Sequence, residues 1–185
     1  MANSPTPEPI VMAYPFKNLD TELQVFNQSF HCHSSVLKKH SEYFARSFDP
    51  KFKTRKDFPQ GEESKYKWIT HVDKKEANGR PHKQLIGWSL EWERSVTEEE
   101  KERKFVGDEL KNIIAFDILL RSMYSEPLTE SCVDFLELAI VLAEFFIAIP
   151  CLSRAVESLI STEGFEVEIP ESCLEKLGIV VEEGQ

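Results

Sequence analysis

Three adjacent residues, His31, Cys32 and His33, form the densest group of potential ligand or nucleophile side chains in this sequence. Imidazole and thiolate groups are usual zinc ligands, but a structural zinc site takes four of them in paired spacings. No second pair with such a spacing can be read from the rest of the chain. The remaining candidates are Cys132, Cys151, Cys173, His40, His71 and His82. We therefore predict no metal site.

The neighbouring Cys32 and His33 could also form a catalytic thiol and imidazole couple. Adjacent side chains of a strand point to opposite faces, which prevents the hydrogen bond that such catalysis needs. The seven glycines are spread singly, so no phosphate-cradling glycine loop is present in the sequence, and neither is a nucleophile elbow. We expect no catalytic activity and no cofactor.

Basic residues are concentrated in one segment of an acidic chain. Residues 51–104 contain 14 basic and 11 acidic residues, a net charge of +3, whereas the whole chain has a net charge of -10. Three tryptophans in this segment, Trp68, Trp88 and Trp92, could stack on nucleic-acid bases. The eleven acidic residues and the charge of the whole chain favour instead a hairpin that buries its indoles. A nucleic-acid or chromatin-associated factor that uses this basic insert is the alternative function.

Residues 20–48 contain the elements that must position the His-Cys-His group. Alternating apolar residues predict two strands, with residues 26–29 as the turn between them. Residues 33–35 offer capping side chains for a first helix, and Ser41 caps a second helix. The apolar positions of these four elements are Leu23, Val25, Phe30, Cys32, Val36, Leu37, Phe44 and Phe48.

Two further strand-like runs begin at Tyr66 and Lys83, and Asn78-Gly79 between them is a favourable turn signal. They predict a hairpin that buries Ile86, Trp88, Leu90 and Trp92 on one face. Residues 97–104, TEEEKERK, predict an exposed helix start or a solvated loop.

Helical periodicity returns at Asp108 and continues to a stop at Pro127. Residues 133–160 predict a helical hairpin that breaks at Pro150. The apolar stretch 135–149 within it is interrupted by Glu137 and Glu144, so it is predicted to be a core helix rather than a membrane span.

The order of these elements resembles the BTB/POZ domain family over residues 20–160. The motif positions that match are Asp20, Phe30, His33, Leu37, Ser41 and Phe44, with Tyr124 matching a turn later in the domain. The resemblance is closest to a branch common in filamentous fungi. It implies an α+β fold, in which a small, mostly antiparallel sheet is flanked by a cluster of α-helices, here with an inserted β-hairpin. It also implies a hydrogen bond between His33 and Asp20.

In function, the resemblance implies an intracellular protein–protein interaction module that forms homo- or hetero-associations. One route is a homodimer through a face formed by Val36, Leu37 and Lys38. The other is docking of a cullin scaffold of a ubiquitin ligase. The residues implied for that contact are Phe48, Phe52 and Tyr124, and Thr54 stands where the family's short docking motif has a Glu.

The resemblance and the composition together divide the chain into three parts. Residues 1–19 are predicted to be a flexible Pro-rich lead and residues 20–160 the BTB/POZ domain, in which 49–104 hold a polar loop, the hairpin and a charged insert. Residues 161–185 are predicted to be a short acidic tail, with only one or two helical turns around Cys173 to Leu177. No secretory signal is readable and the four cysteines lack paired spacing, which favours the cytoplasm or nucleus and no membrane partner.

Overall fold

The computed structural model describes residues 8, 10–11, 19–49, 66–73 and 86–180. In them, a five-stranded sheet packs against a cluster of α-helices, so the prediction of an α+β fold is confirmed. The strands are β1 (Ile10–Val11), β2 (Thr21–Val25), β3 (Gln28–Cys32), β4 (Tyr66–Val72) and β5 (Trp88–Trp92). The helices are α1 (Ser34–His40), α2 (Glu42–Ser47), α3 (Glu98–Lys101), α4 (Glu109–Met123), α5 (Leu136–Phe145), α6 (Ile149–Ile160) and α7 (Glu171–Leu177). Short 3₁₀ helices span Glu93–Ser95 and Glu130–Phe135.

The sheet has the strand order β1-β3-β2-β4-β5. Two of its pairings, β2 with β3 and β4 with β5, are antiparallel hairpins. The other two, β1 with β3 and β2 with β4, are parallel. Most of the paired positions lie in the two antiparallel hairpins, as predicted, but β2 and β4 run side by side in the same direction, so the sheet is mixed.

The β2–β3 hairpin is confirmed, but its turn is shorter than predicted. Val25 pairs with Gln28, so only Phe26 and Asn27 form the loop. Phe26 has a φ of 53°, which is rare for a residue with a side chain. Its backbone N–H donates to Thr70 Oγ1 at 2.7 Å, a contact from β4 that holds the turn in place.

The second predicted hairpin is confirmed as β4 and β5, which pair from Trp68 with Trp92 to Val72 with Trp88. The predicted turn at residues 78–79 lies outside the described residues. All four predicted positions on the inner face of this hairpin, including Ile86 and Leu90, are buried. At the outer edge of β5, Tyr43 of α2 donates to the carbonyl of Leu90 at 2.8 Å.

The Pro-rich lead contributes a strand that the sequence analysis did not predict. Ile10 pairs with Phe30 in parallel orientation, and Gln28 Nε2 donates to the carbonyl of Glu8 at 2.8 Å. The description of this segment as only a flexible lead is corrected at residues 10–11.

The hydrophobic core lies between the sheet and α4. Phe116 of α4 contacts Phe30 of β3, with ring centroids 5.5 Å apart, and Phe146 at 5.4 Å. Phe146 in turn stacks on Phe44 of α2 at 5.5 Å. Each of these rings is fully buried, and burial of such a side chain contributes about 1.5–3 kcal/mol. This chain of rings joins β3 to α4, to α2 and to the turn that follows α5.

The predicted helical hairpin is α5 and α6, but Pro150 does not make the break. The chain turns at residues 146–148, where Ile147 has a φ of 50°. Pro150 lies in the first turn of α6, a position that leaves the missing N–H without cost. Within the part of the chain that the structure describes, no helix is long and apolar enough to cross a membrane.

The C-terminal segment is not a tail, at least as far as residue 180. Its helix α7 packs against α5 and α6. Ile169, Cys173 and Leu177 are buried there, and Ser153 of α6 donates to the carbonyl of Leu177 at 2.8 Å. The sequence predicted one or two helical turns around Cys173, which is confirmed. Their packing onto the core was not predicted.

Candidate functional site

The side chains of His31, Cys32 and His33 lie in different environments. His31 lies half-buried on β3, whereas His33 follows the strand and is buried. The hydroxyl of Tyr124 lies 2.7 Å from the backbone nitrogen of His33 and 2.9 Å from its Nδ1. His33 therefore hydrogen-bonds within the core and His31 lies nearer the surface, as predicted.

Asp20 has a different role from the one implied by the resemblance. Its Oδ1 accepts from the backbone N–H of Ser34 at 2.6 Å, and its Oδ2 accepts from the hydroxyl of Ser34 at 2.6 Å. The expected His33–Asp20 pair is thus replaced by Asp20 with Ser34 and by His33 with Tyr124. The side chain of His33 makes no cap hydrogen bond, so Asp20 supplies the acceptor at the start of α1.

Cys32 is fully buried on β3, which decides its chemistry. Burial, and secondly the nearby carboxylate of Asp20, raise the pKa of the Cys32 thiol far above its ordinary value. A thiol held in this way is a poor nucleophile, because the thiolate is the reactive form. In the described ranges, no group of three or more His, Cys, Asp or Glu side chains is arranged to hold a metal ion.

The three indoles of the basic insert are also buried. Trp88 is 0 % exposed and its Nε1 donates to Asn112 Oδ1 of α4 at 2.9 Å. Trp68 and Trp92 contact each other across the hairpin, with ring centroids 6.2 Å apart. The prediction of a hairpin that buries its indoles is therefore confirmed, and these rings are not available to stack on bases.

The candidate dimer face is corrected in two of its three residues. Leu37 is 0 % exposed and Val36 is 7 % exposed, so both belong to the core of the chain itself. Lys38 is exposed. The error has a simple cause: the apolar side of an amphipathic helix predicts burial, and it does not say whether the burying surface belongs to the same chain.

The candidate cullin contacts are corrected in the same way. Phe48 is buried, and its ring stacks on Phe44 with centroids 5.7 Å apart. Tyr124 is buried, and its hydroxyl is occupied by His33. Phe52 lies outside the described residues. Neither of the two described side chains offers a surface to a partner.

A groove of about 540 Å³ lies between the end of α6 and α7. Most of its lining is apolar, and several of these side chains are only half-buried. The apolar lining residues are Ile160, Phe165, Ile169, Leu174, Ile179 and Val180. Val180 is 87 % exposed, so part of the groove wall is fully open to solvent.

The end of α7 fixes one wall of the groove. Gly178 follows the helix with a φ of 69°, and its N–H donates to the carbonyl of Glu175 at 3.0 Å. The N–H of Ile179 donates to the carbonyl of Leu174 at 2.9 Å. These two bonds form a Schellman motif, in which the residue after the glycine commonly packs against the helix. The motif therefore places Ile179 beside Leu174 in the lining.

The opposite end of the groove is set by a turn after α6. The N–H of Thr162 donates to the carbonyl of Leu159, and the N–H of Phe165 donates to the carbonyl of Thr162, both at 3.1 Å. Gly164 has a φ of 82° in this turn. The turn returns the chain so that Phe165 and Ile160 line the same concavity.

Acidic side chains surround this groove. Glu171 and Glu175 are lining residues and both are exposed. The segment 161–180 carries three more exposed acids, Glu163, Glu166 and Glu168, against one base, Lys176. The apolar groove is therefore surrounded by negatively charged side chains.

The sequence analysis did not identify the groove residues. The signal was present, because Ile169, Cys173 and Leu177 recur every four residues and Gly178 stands directly after them. This spacing predicts an amphipathic helix with a glycine stop. Local spacing could not show that Leu174 and Ile179 would line the same groove as Ile160, which belongs to a different helix.

Comparisons with known proteins give no match: no family model, no curated protein and no solved structure is similar to this chain.

Proposed function

We propose that the chain is a protein–protein association module of the BTB/POZ type, which binds a partner through the groove between α6 and α7. The observation that carries the proposal is the groove itself. It combines six apolar lining residues with open access, and apolar surface that a chain leaves in a concavity is characteristic of binding sites.

The residues that match the family motif support the BTB/POZ part of the proposal. Phe30, Leu37 and Phe44 are fully buried, and Ser41 is buried as well. Ser41 Oγ caps α2 by accepting from the N–H of Phe44, and it donates to the carbonyl of Phe146. These motif residues join the β2–β3 hairpin and the first helices to the later part of the chain. Such contacts are expected if the chain has the fold of the family.

The burial and hydrogen bonding of the reactive groups support a role in association rather than in catalysis. The hydroxyl of Tyr124, the carboxylate of Asp20 and the thiol of Cys32 are engaged or buried at the junction of β3 and α1. All four cysteines are free thiols, which fits work in a reducing compartment inside the cell. A cullin scaffold is not part of the proposal, because Phe48 and Tyr124 are buried.

The apolar groove by itself supports only a modest affinity. Burial of three partner side chains contributes about 5–9 kcal/mol. Association costs about 4–15 kcal/mol in lost translational and rotational freedom. The groove therefore requires either further contacts around its rim or a partner that is already ordered.

Site-specific photo-crosslinking tests the proposal in the cells that make the chain. A photoreactive amino acid replaces Val180, which is 87 % exposed in the groove wall, and in a matched chain it replaces Val106, which is 72 % exposed outside the groove. Neither substitution removes a buried contact, so both chains should fold normally.

We expect a discrete protein adduct from position 180 and none of that mass from position 106. An adduct of twice 21.4 kDa would identify a second copy of the chain as the partner. Equal adducts from both positions, or no protein adduct from position 180, would contradict association through the groove.

A further inference from the structure

The charge around the groove restricts the chemistry of its partner. Five glutamates and one lysine lie in residues 161–180, and all of these side chains are exposed. Two of the acids, Glu171 and Glu175, are part of the lining and stand one turn apart on α7. An apolar partner with acidic flanks would bring like charges together, which costs affinity.

The shape of the groove restricts the form of its partner. One wall is a helix, α7, and the opposite side is the end of a second helix, α6, with the returning chain at Phe165. An amphipathic helix can lay its apolar side chains into such a concavity at positions i, i+3 or i+4, and i+7. Its remaining faces then lie over the acidic rim.

We infer that the groove takes an amphipathic segment of another protein, with apolar anchors on one face and Lys or Arg on its flanks. This inference rests on the proposed function and names the partner class for the same groove. The apolar anchors fill the space between Ile160, Leu174 and Ile179. The basic flanks meet Glu171 and Glu175, and they steer the encounter through the negative field of the whole segment.

A second copy of the chain fits the groove less well. The chain carries a net charge of -10, so two copies repel each other over long distances. In α1, the basic residues Lys38, Lys39 and His40 are accompanied by apolar residues that are already buried in the core. This helix therefore has no free apolar face to offer a neighbouring molecule.

A peptide series measured by fluorescence anisotropy on the full chain tests the inference. The probe is a labelled peptide of about 16 residues with Leu at i, i+3, i+4 and i+7 and Lys at the flanks. A second peptide has Glu in place of each Lys, and a third has Ala in place of each Leu. The peptides change while the protein does not, so the folding of the protein does not complicate the comparison.

A protein variant locates the binding. Glu171→Gln with Glu175→Gln removes two charges from the lining. Glu99→Gln with Glu102→Gln removes two exposed charges from the α3 segment, outside the residues that line the groove. The two double variants have the same net charge, and Glu99 and Glu171 each lie in the first turn of their helix.

We expect the basic peptide to bind at least about tenfold more tightly than the acidic peptide, and the Ala peptide to lose binding. The variant at 171 and 175 should weaken binding of the basic peptide about tenfold, while the variant at 99 and 102 changes it less than twofold. Because salt screens these charges, the affinity should fall between about 0.05 and 0.5 M NaCl.

Equal losses in the two double variants would overturn the inference, because the attraction would then belong to the net charge of the chain. Equal binding of the basic and acidic peptides, with loss only for the Ala peptide, would also overturn it and leave the groove as an apolar association site. A salt-insensitive dimer of the chain that the basic peptide cannot dissociate would assign the groove to a second copy instead. If no peptide binds and position 180 gives no crosslink, both the inference and the proposed function fail.

Discussion

The hydroxyl of Tyr124 joins the end of α4 to the start of α1 through two contacts with His33. It accepts from the backbone N–H of His33 at 2.7 Å, so its own proton is free to point at Nδ1 of the ring at 2.9 Å. Burial above all, and then the nearby Cys32, raise the pKa of Tyr124 above its ordinary value. The phenol therefore stays protonated and can serve both contacts at neutral pH.

Replacement of this hydroxyl should be costly. Tyr124→Phe leaves the buried N–H of His33 without its acceptor, which is expected to lower the free energy of unfolding by about 1–3 kcal/mol. Tyr43→Phe removes a single bond to the carbonyl of Leu90 and is expected to cost about 0.5–1.5 kcal/mol. Urea unfolding of the two variants checks the order. A loss at Tyr124 no larger than that at Tyr43 would contradict this assignment.

Neighbouring residues of α1 should differ sharply in their effect on stability. Leu37→Ala removes a fully buried side chain and is expected to cost about 2–5 kcal/mol. Lys38→Ala changes an exposed side chain and should alter the free energy of unfolding by less than about 0.5 kcal/mol. Thermal or urea unfolding measures both. If Leu37→Ala keeps wild-type stability and changes only the solution mass of the protein, Leu37 is part of a dimer interface and this prediction is wrong.

The glycine after α7 should be needed for the groove. A Cβ at Gly178 would meet no atom within 4 Å, so the cost of Gly178→Ala comes from the backbone at φ 69°. We expect a loss of about 1–2 kcal/mol, and less for Gly178→Asn, because Asn tolerates this conformation. Hydrogen exchange of the α7 amides is the measurement. Unchanged protection in the Ala variant would mean that the Schellman motif does not hold this wall.

The start of α3 should depend on pH through Glu100. Its carboxylate accepts from the backbone and hydroxyl of Thr97 and from Arg103, and these bonds lower its pKa from 4.5 to about 2. Because the folded-state pKa is the lower one, the contribution of Glu100 is present above pH 4.5 and is lost as the pH falls through about 2.

The amide chemical shifts of Thr97 and Glu100 measure this titration by NMR. We expect a midpoint near pH 2, and no such transition in Glu100→Gln, whose side chain still fits the capping box. A midpoint near 4.5 would mean that the box is not formed in solution.

Local patterns predicted most of the elements. Alternation identified the strands around Leu23 and Phe30, and the capping role of Ser41 could be read from its position before Phe44. These features depend on neighbours in the sequence, and for that reason sequence reasoning recovers them.

Features that depend on distant partners were missed. The tight turn at Phe26 is held by Thr70, and the edge strand at Ile10 exists only because Phe30 lies beside it. The candidate dimer and cullin contacts failed for the same reason: Leu37, Phe48 and Tyr124 have the residue types of a binding surface, but the fold buries all three. The groove shows the reverse case, since its residues belong to separate elements and line one concavity only when α7 packs on α6.

An NMR titration of methyl-labelled protein with the basic amphipathic peptide tests most directly whether the groove is the surface that meets a partner. The methyl signals of Leu174, Ile179 and Val180 should shift first and by the largest amounts. The methyl signals of Leu37 in α1 should stay unchanged, because that side chain is buried in the core. Shifts that are confined to another surface, or an absence of shifts at the groove at saturating peptide, would contradict the account.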